Sequence, residues 1–451
     1  MNHKNKIILF LVLLISGISY SQESWSLDDC VTYAIQHNLQ LQDFKYNKDV
    51  NKENYRQSVR NLLPTINGAS DVTKNFGRSP NPNTNVFENT EFLSTSYSLN
   101  AQLDLFQGFQ KVNAIRASKY LYKATTEEVL HQKYLLAFRV MAAFYDIQFM
   151  EGLLSISKEQ EVVSKENFDL VKRQVELGQM AKADLYEAES ALIADQLLVT
   201  QNQNNVTAAK LRLMQEMNLE GATTISVKSL TNEIIDQEFV LTDNDSIFNK
   251  AKEFVPIIKA QEFRFEAAKK QLASAKGALY PTLSLFAGIR TRYVDNNFDD
   301  DTGILVPFST QIKDNSAQAV GLSLNIPISN GFSNWSRVKQ QKIEKMRAEN
   351  NYNIQKQEMY QLIQQLVQEG EALKTEYEQS SQKMKAQMLA FEIAQKRYQK
   401  GLINAIELNQ SKNLFANSQN ENLQVQLRLK VNESTLDFYK GLPVFNINRT
   451  Q

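Results

Sequence analysis

Two ten-residue stretches of the chain alternate apolar and polar side chains without a break. In residues 96–105, Tyr97, Leu99, Ala101, Leu103 and Leu105 alternate with Ser96, Ser98, Asn100, Gln102 and Asp104. In residues 320–329, Val320, Leu322, Leu324, Ile326 and Ile328 alternate with Gly321, Ser323, Asn325, Pro327 and Ser329. A period of two predicts strands with one apolar face, and ten residues suit a tilted strand that crosses a bilayer. Weaker partners precede each stretch. Residues 66–76 alternate around Ile66, Val72 and Phe76, with Lys74 out of pattern; residues 283–293 put Leu285, Ile289 and Tyr293 on the apolar face. The opposite faces carry Asp71, Asp104, Arg290 and Arg292, and also Phe286. Polar loops over 77–92 and 295–316 are expected to join the members of each pair.

The rest of the chain reads as long helices. The eight prolines stand at 64, 80, 82, 256, 281, 307, 327 and 443, so residues 83–255 and 328–442 contain none, and nothing there kinks a helix. Ile115, Tyr122, Val129, Leu136, Ala143 and Met150 follow a seven-residue step, with a second line through Val140, Ile147 and Leu154. Such steps predict coiled-coil-like packing. A helix over 109–177 would be about 100 Å long at about 1.5 Å per residue. Gly178 breaks it, and a second helix returns to about residue 219. The pattern repeats over 332–400, Gly401, and onward to about residue 440.

The two halves are one unit written twice. Leu63-Pro64-Thr65 is answered by Tyr280-Pro281-Thr282, Gly108-Phe109 by Gly331-Phe332, and Gly178 by Gly401. An acid follows each of the last two glycines by six positions, Asp184 and Glu407. Ser26-Leu27-Asp28-Asp29 and Thr242-Asp243-Asn244-Asp245 each place a hydroxyl three residues before a carboxylate, a helix-start signature. The expected organisation is a signal peptide over 1–21, a first repeat over 22–240, a second over 241–445 and a tail over 446–451. Each repeat holds a helix, two strands and a long helical hairpin.

Composition narrows the function. Lys4 and Lys6, an apolar run over 7–15 and small residues Ser19 and Ser21 before Gln22 form a secretory signal. Its apolar core is too short to span a bilayer, and no later segment reaches the length of a membrane helix. Any membrane span must then be built of strands. The 50 basic and 50 acidic residues balance, which argues against a nucleic-acid partner. One Cys, Cys30, excludes a disulfide framework and a zinc ribbon, and is read as a small buried hydrophobe. The three histidines are scattered, and no metalloprotease, hydrolase or phosphate-loop motif occurs, so no catalytic site, cofactor or metal is expected. His131 is read as a packed or solvated side chain, and Lys111 and Arg116, just after a strand, as facing the periplasmic membrane surface or solvent.

Four strands cannot close a barrel, and an open edge in lipid leaves backbone groups unsatisfied. Two chains give eight strands and a filled interior; three give twelve and room for water, which the polar faces favour. The chain resembles the TolC family of outer-membrane efflux channels over almost its whole mature length. The resemblance rests on the start Ser26-Leu27-Asp28-Asp29-Cys30-Val31-Thr32-Tyr33-Ala34, the paired Pro-Thr strand entries, the Gly-Phe strand exits and the two Gly-centred tips. It implies a mainly α fold with a small β part: tandem-duplicated hairpins forming a periplasmic α-barrel, and four strands per chain in a trimeric 12-stranded transmembrane β-barrel. It implies a homotrimer in outer-membrane lipid that docks a periplasmic adaptor (a membrane fusion protein) and an inner-membrane pump. The function implied is the exit duct of a tripartite efflux or type I secretion system, without enzymatic activity. By the same resemblance Asp184, Tyr398 and Glu407 belong to the periplasmic entrance, and Gly178 and Gly401 to tips that meet the adaptor. Ile403 stands where the family has a basic residue. A periplasmic coiled-coil scaffold without channel activity is the alternative, and the amphipathic strands speak against it.

Overall fold

The computed structural model describes residues 24–80, 86–228, 243–299, 301–445 and 447. The expected signal peptide, Thr242 and most of the expected tail lie outside them. The chain begins with α1 (Leu27–His37) and α2 (Leu39–Arg60), continues through β1 (Thr65–Pro80) and β2 (Phe87–Gln107), and then enters the hairpin of α3 (Gln110–Glu176) and α4 (Lys182–Met217). The order recurs as α5 (Asn244–Phe254), α6 (Pro256–Gly277), β3 (Thr282–Val294), a short α7 (Phe308–Asp314), β4 (Ala317–Asn325), α8 (Ser333–Gln399) and α9 (Ala405–Tyr439). Helices of 11, 22, 67 and 36 residues are answered by helices of 11, 22, 67 and 35.

Local chemistry sets these boundaries. The Ser26 hydroxyl accepts from the Asp29 N–H at 3.2 Å, and the Asp29 carboxylate accepts from the Ser26 N–H at 3.0 Å, closing a capping box on α1. The Ser26 hydroxyl, which also donates to the Asp29 carboxylate at 2.5 Å, and then the Ser26 N–H hold that carboxyl below its ordinary pKa. Asn38 leaves the helix in an extended conformation, and its side chain accepts from Leu41 N–H to open α2. The second expected box rests on Thr242, which lies outside the described residues. The helix α5 starts after Asp243, whose side chain makes no cap bond, and Asp245 accepts from the Tyr360 hydroxyl at 3.2 Å.

The chain divides into two compact units. One takes the described residues of 1–46, 127–259 and 355–451; the other takes 47–126 and 260–354. In the first, the seven-residue lines are buried from Val129 onward through Leu136, Val140, Ala143, Ile147 and Leu154. Cys30 is fully buried among Val31, Ala34 and Ile35, and that burial pushes its thiol up to about 12, as expected of a small core hydrophobe.

The second unit contains an antiparallel sheet in the order β1-β2-β3-β4. Leu99 pairs with Ile289 and Leu103 with Leu285, which in turn pairs with Leu322, so the apolar residues of neighbouring strands share one face. Three expectations need correction. First, β1 and β2 stay paired through Pro80↔Phe87, so the loop expected over 77–92 is a longer hairpin with a short connection. Second, the alternation of residues 320–329 overruns its strand: β4 spans Ala317–Asn325, and Ile326 and Ile328 lie beyond it, where Pro327 has no N–H to donate. Third, the register shifts between Asp104 and Phe106, so the bulge places Phe106, opposite Leu283, in the apolar row that Leu105 was expected to end.

Candidate functional site

The two hairpin tips are built alike. At the first, Gly178 takes φ 72° while its N–H donates to Val175 O and the Gln179 N–H donates to Gln174 O. At the second, Gly401 takes φ 71°, donates to Tyr398 O, and Leu402 donates to Arg397 O. Both are Schellman ends, in which a left-handed residue is needed and glycine adopts it without strain. The returning helices are then capped in different ways. The Asp184 carboxylate accepts from the Ala181 N–H at 3.1 Å, and the Asn404 side chain accepts from the Glu407 N–H at 2.9 Å.

Asp184, Glu187, Tyr398, Gly401 and Ile403 line one recess of about 340 Å³. The structure thus brings Asp184, Tyr398 and Gly401 together, while Gly178 and Glu407 lie outside that recess. The Tyr398 hydroxyl is buried without a hydrogen-bond partner among the described residues, and burial followed by the Asp184 charge pushes its pKa up. The bond that pairing these two residues suggests is therefore not made within the chain.

Beyond the tips lies a cluster that the sequence did not reveal. The Lys412 ammonium donates to Asp195 at 2.5 Å and to the Ser164 hydroxyl at 2.7 Å, and Ser164 donates to the same Asp195 oxygen at 2.5 Å. All three are buried, Lys412 at 4% exposure, and they come from α9, α4 and α3. The pair therefore ties one hairpin to the other through the interior. One signal was legible: Lys412 stands four residues after buried Leu408 and four before buried Ala416, a charge set in an otherwise apolar helical row.

The sheet has two chemically opposite faces. Val320 is 78% exposed and Leu99 51%, in a row with Ile66, Val72, Leu322 and Leu324, which are also exposed. The other face presents Asn67, Asn100, Gln102 and Arg290 around a recess whose floor includes Phe286. A Cβ on Gly321 would lie 2.7 Å from the Phe286 ring, so this aromatic covers the glycine across from it on the edge strand. Asp104 and Lys111, expected to face a lumen and solvent separately, form an ion pair at 2.8 Å, and Ser284 also donates to Asp104. Among the described residues no group of His, Cys, Asp and Glu is arranged to hold a metal, and no helix is long and apolar enough to cross a membrane.

An open sheet with an exposed apolar face, joined to duplicated helical hairpins, has counterparts among known proteins. The model of the outer membrane efflux protein family matches residues 31–219 and 247–442. The chain belongs to that family. This efflux protein is 20% identical over 430 residues to the outer membrane efflux protein BepC of Brucella suis, covering 94% of this chain and 86% of the relative. In fold it is similar to VceC of Vibrio cholerae, with a TM-score of 0.77, 17% identity, and 92% and 96% of the two chains covered. It is likewise similar to the CmeC outer membrane channel of Campylobacter jejuni, with a TM-score of 0.78, 14% identity, and 94% and 90% covered. Members of the family are channels rather than enzymes, and the efflux protein belongs to the outer membrane as an exit channel. The scaffold alternative finds no support.

Proposed function

We propose that three copies of this chain close a 12-stranded barrel in the outer membrane, continued by helical hairpins into the periplasm. The observation that carries this is the open four-stranded sheet, whose exposed apolar face has outer strands β1 and β4 at its edges. In lipid, unpaired edge groups cost several kcal/mol each, so another copy must pair them. A lining with Arg290, Arg292 and Phe286 favours three copies and a watery lumen over two and a filled one. In this proposal the chain is a passive duct without catalytic activity or cofactor. A periplasmic adaptor and an inner-membrane pump open it at the tips. Asp184, Tyr398 and Glu407 surround the entrance, and Gly178 and Gly401 meet the adaptor. Residues 1–21 are removed as a signal peptide, and 22–240 and 241–445 are the two repeats, followed by the tail. Detergent-extracted protein should have the mass of a trimer and form conducting pores in planar bilayers. A monomer that stays soluble without detergent would overturn the proposal.

A further inference from the structure

The connection between β3 and β4 is not a bare loop. The Gln311 side chain, 1% exposed, accepts from the Val294 N–H at 3.0 Å and donates to Val294 O and Val306 O. The Asn315 side chain donates to Arg292 O at 2.8 Å. Because β4 pairs with β3 only as far as Ala317↔Arg290, these two amides take the place of the missing strand along the last turns of β3. The connection is thereby fixed to one side of the sheet.

That side is the apolar one. Thr291 and Tyr293 lie on the same face as Ile289, and the pairs Tyr97↔Thr291 and Thr95↔Tyr293 place Tyr97 and Thr95 there too. The Thr291 hydroxyl donates to Ile312 O at 2.7 Å. The Phe308 ring packs edge-on against Tyr293 at 5.2 Å and against Tyr97 at 6.4 Å. Thr95 is only 7% exposed, although Leu99 on the same strand and face is open. Arg290, on the opposite face, still lines the open polar recess.

We propose that α7 and its flanks anchor the protein in the outer leaflet, with Phe308 and Ile304 at the boundary of lipid headgroups and acyl chains, and do not form a lid over the lumen. The inference rests on the membrane placement of the strands proposed above. Two features argue for lipid as the partner. Phe308 is 50% exposed and packs on Tyr97 and Tyr293 of the apolar face, and Ile304, four residues before it, is 68% exposed. The spacing also fits: a second aromatic pair, Phe106 and Phe109, marks the helix-side end of that face. Phe106 and Tyr97 oppose Leu283 and Thr291, eight residues apart on β3; strands rising about 3.4 Å per residue and tilted about 40° cover about 21 Å over that interval, of the order of the ~25 Å apolar band flanked by aromatic girdles in outer-membrane barrels. Phe308 completes the outer girdle.

The test is nitroxide labelling of the full mature chain in liposomes of outer-membrane lipid. Phe308→Cys and Ile304→Cys are made in a Cys30→Ala background, with Val320→Cys and Ser98→Cys as controls for the two sheet faces. Labels at 308 and 304 should collide with dissolved oxygen as the label at 320 does, and should be shielded from a water-soluble nickel relaxant. Single-channel conductance of these variants should equal the parent's. Nickel accessibility at 308 and 304 matching position 98, or a rise in conductance on labelling, would overturn the anchor while leaving the barrel standing. Nickel accessibility at 320 as well would overturn the membrane placement and the anchor together.

Discussion

Lys412 is the residue whose environment most outweighs its appearance in the sequence. Its ammonium is buried against Asp195 and Ser164, and a buried charge stripped of its partner costs far more than an exposed one. Lys412→Met should lower unfolding stability in detergent by about 3–5 kcal/mol, whereas Lys412→Met with Asp195→Leu and Ser164→Ala should recover most of the loss, because a packed apolar set needs no counter-charge. Equal midpoints for the single variant and the parent would mean that water reaches the pair. Glu407 poses the opposite case, an exposed acid in the first turn of α9. If three copies project it onto the channel axis, polyvalent cations added from the tip side should block conductance, and Glu407→Ala should remove most of that block. A block unchanged from the parent would leave Glu407 as a helix-start residue only. Tyr398→Phe removes a hydroxyl that has no partner among the described residues, so monomer stability should hold. A rise in basal conductance on that change would place its partner on a neighbouring copy. His131, half-buried on α3, has its pKa lowered by burial from the ordinary 6.5. Its neutral form is favoured by the fold, so its contribution is complete above about 6.5 and is lost as pH falls through the lower folded value. Melting temperature should therefore drop on acidification more steeply for the parent than for His131→Gln.

At the scale of elements, the presence and facing of the strands were legible, because one face is apolar and the other polar and a period of two records both, although their ends were not. An arginine at Val320, paired with Ala287 midway along the apolar face, should cost about 2–4 kcal/mol near the bilayer midplane and prevent assembly, while Ser323→Arg on the polar face should be tolerated. Trimer yield in outer-membrane fractions reads the difference. Where the alternation misled, the cause is local. Ile326 and Ile328 keep the pattern after the chain has left the sheet at Asn325, and the bulge at Asp104/Phe106 moves the apolar row by one residue. Helix α7 carried no period to detect in seven residues, and it and its C-cap are held to β3 by the Gln311 and Asn315 amides, the Thr291 hydroxyl and the Phe308 ring. The charged cluster escaped because Lys412 and Asp195 stand 217 positions apart, so the apolar row around Lys412 marks a buried charge without naming its partner. The long hairpins were legible to within a residue or two, since the glycine-ended tips and the proline-free runs fix them. Gly108 shows why the strand exit is Gly-Phe: it takes φ 56°, and a Cβ there would overlap the Gly277 carbonyl oxygen. Gly108→Ala should reduce trimer yield more than Gly331→Ala, because Gly331 has open space around its own Cβ position.

At the scale of the whole molecule, the duplication leaves two hairpins with the same lengths and the same tips, yet their interiors have diverged. The tip glycines Gly178 and Gly401 lie 223 positions apart, as do the starts of α3 and α8 and of α4 and α9. Counting by that step, Lys412 corresponds to Glu189 and Asp195 corresponds to Ser418. Ser418 is fully buried and donates to Phe415 O, so its position never asks for a cation. A chain made of two first halves would set Asp195 opposite Glu189, two carboxylates with no lysine between them. A chain made of two second halves would leave Lys412 facing Ser418 and, in place of Ser164, Gln387, with no carboxylate between them. Neither half can replace the other. The ancestral symmetry is spent, and a half-length version expressed alone should fail to close a ring of six identical hairpins. Once charge had been divided between the copies in this way, the gene could keep varying its loops and tips, but it could no longer shuffle, halve or reverse the order of the two halves it was built from.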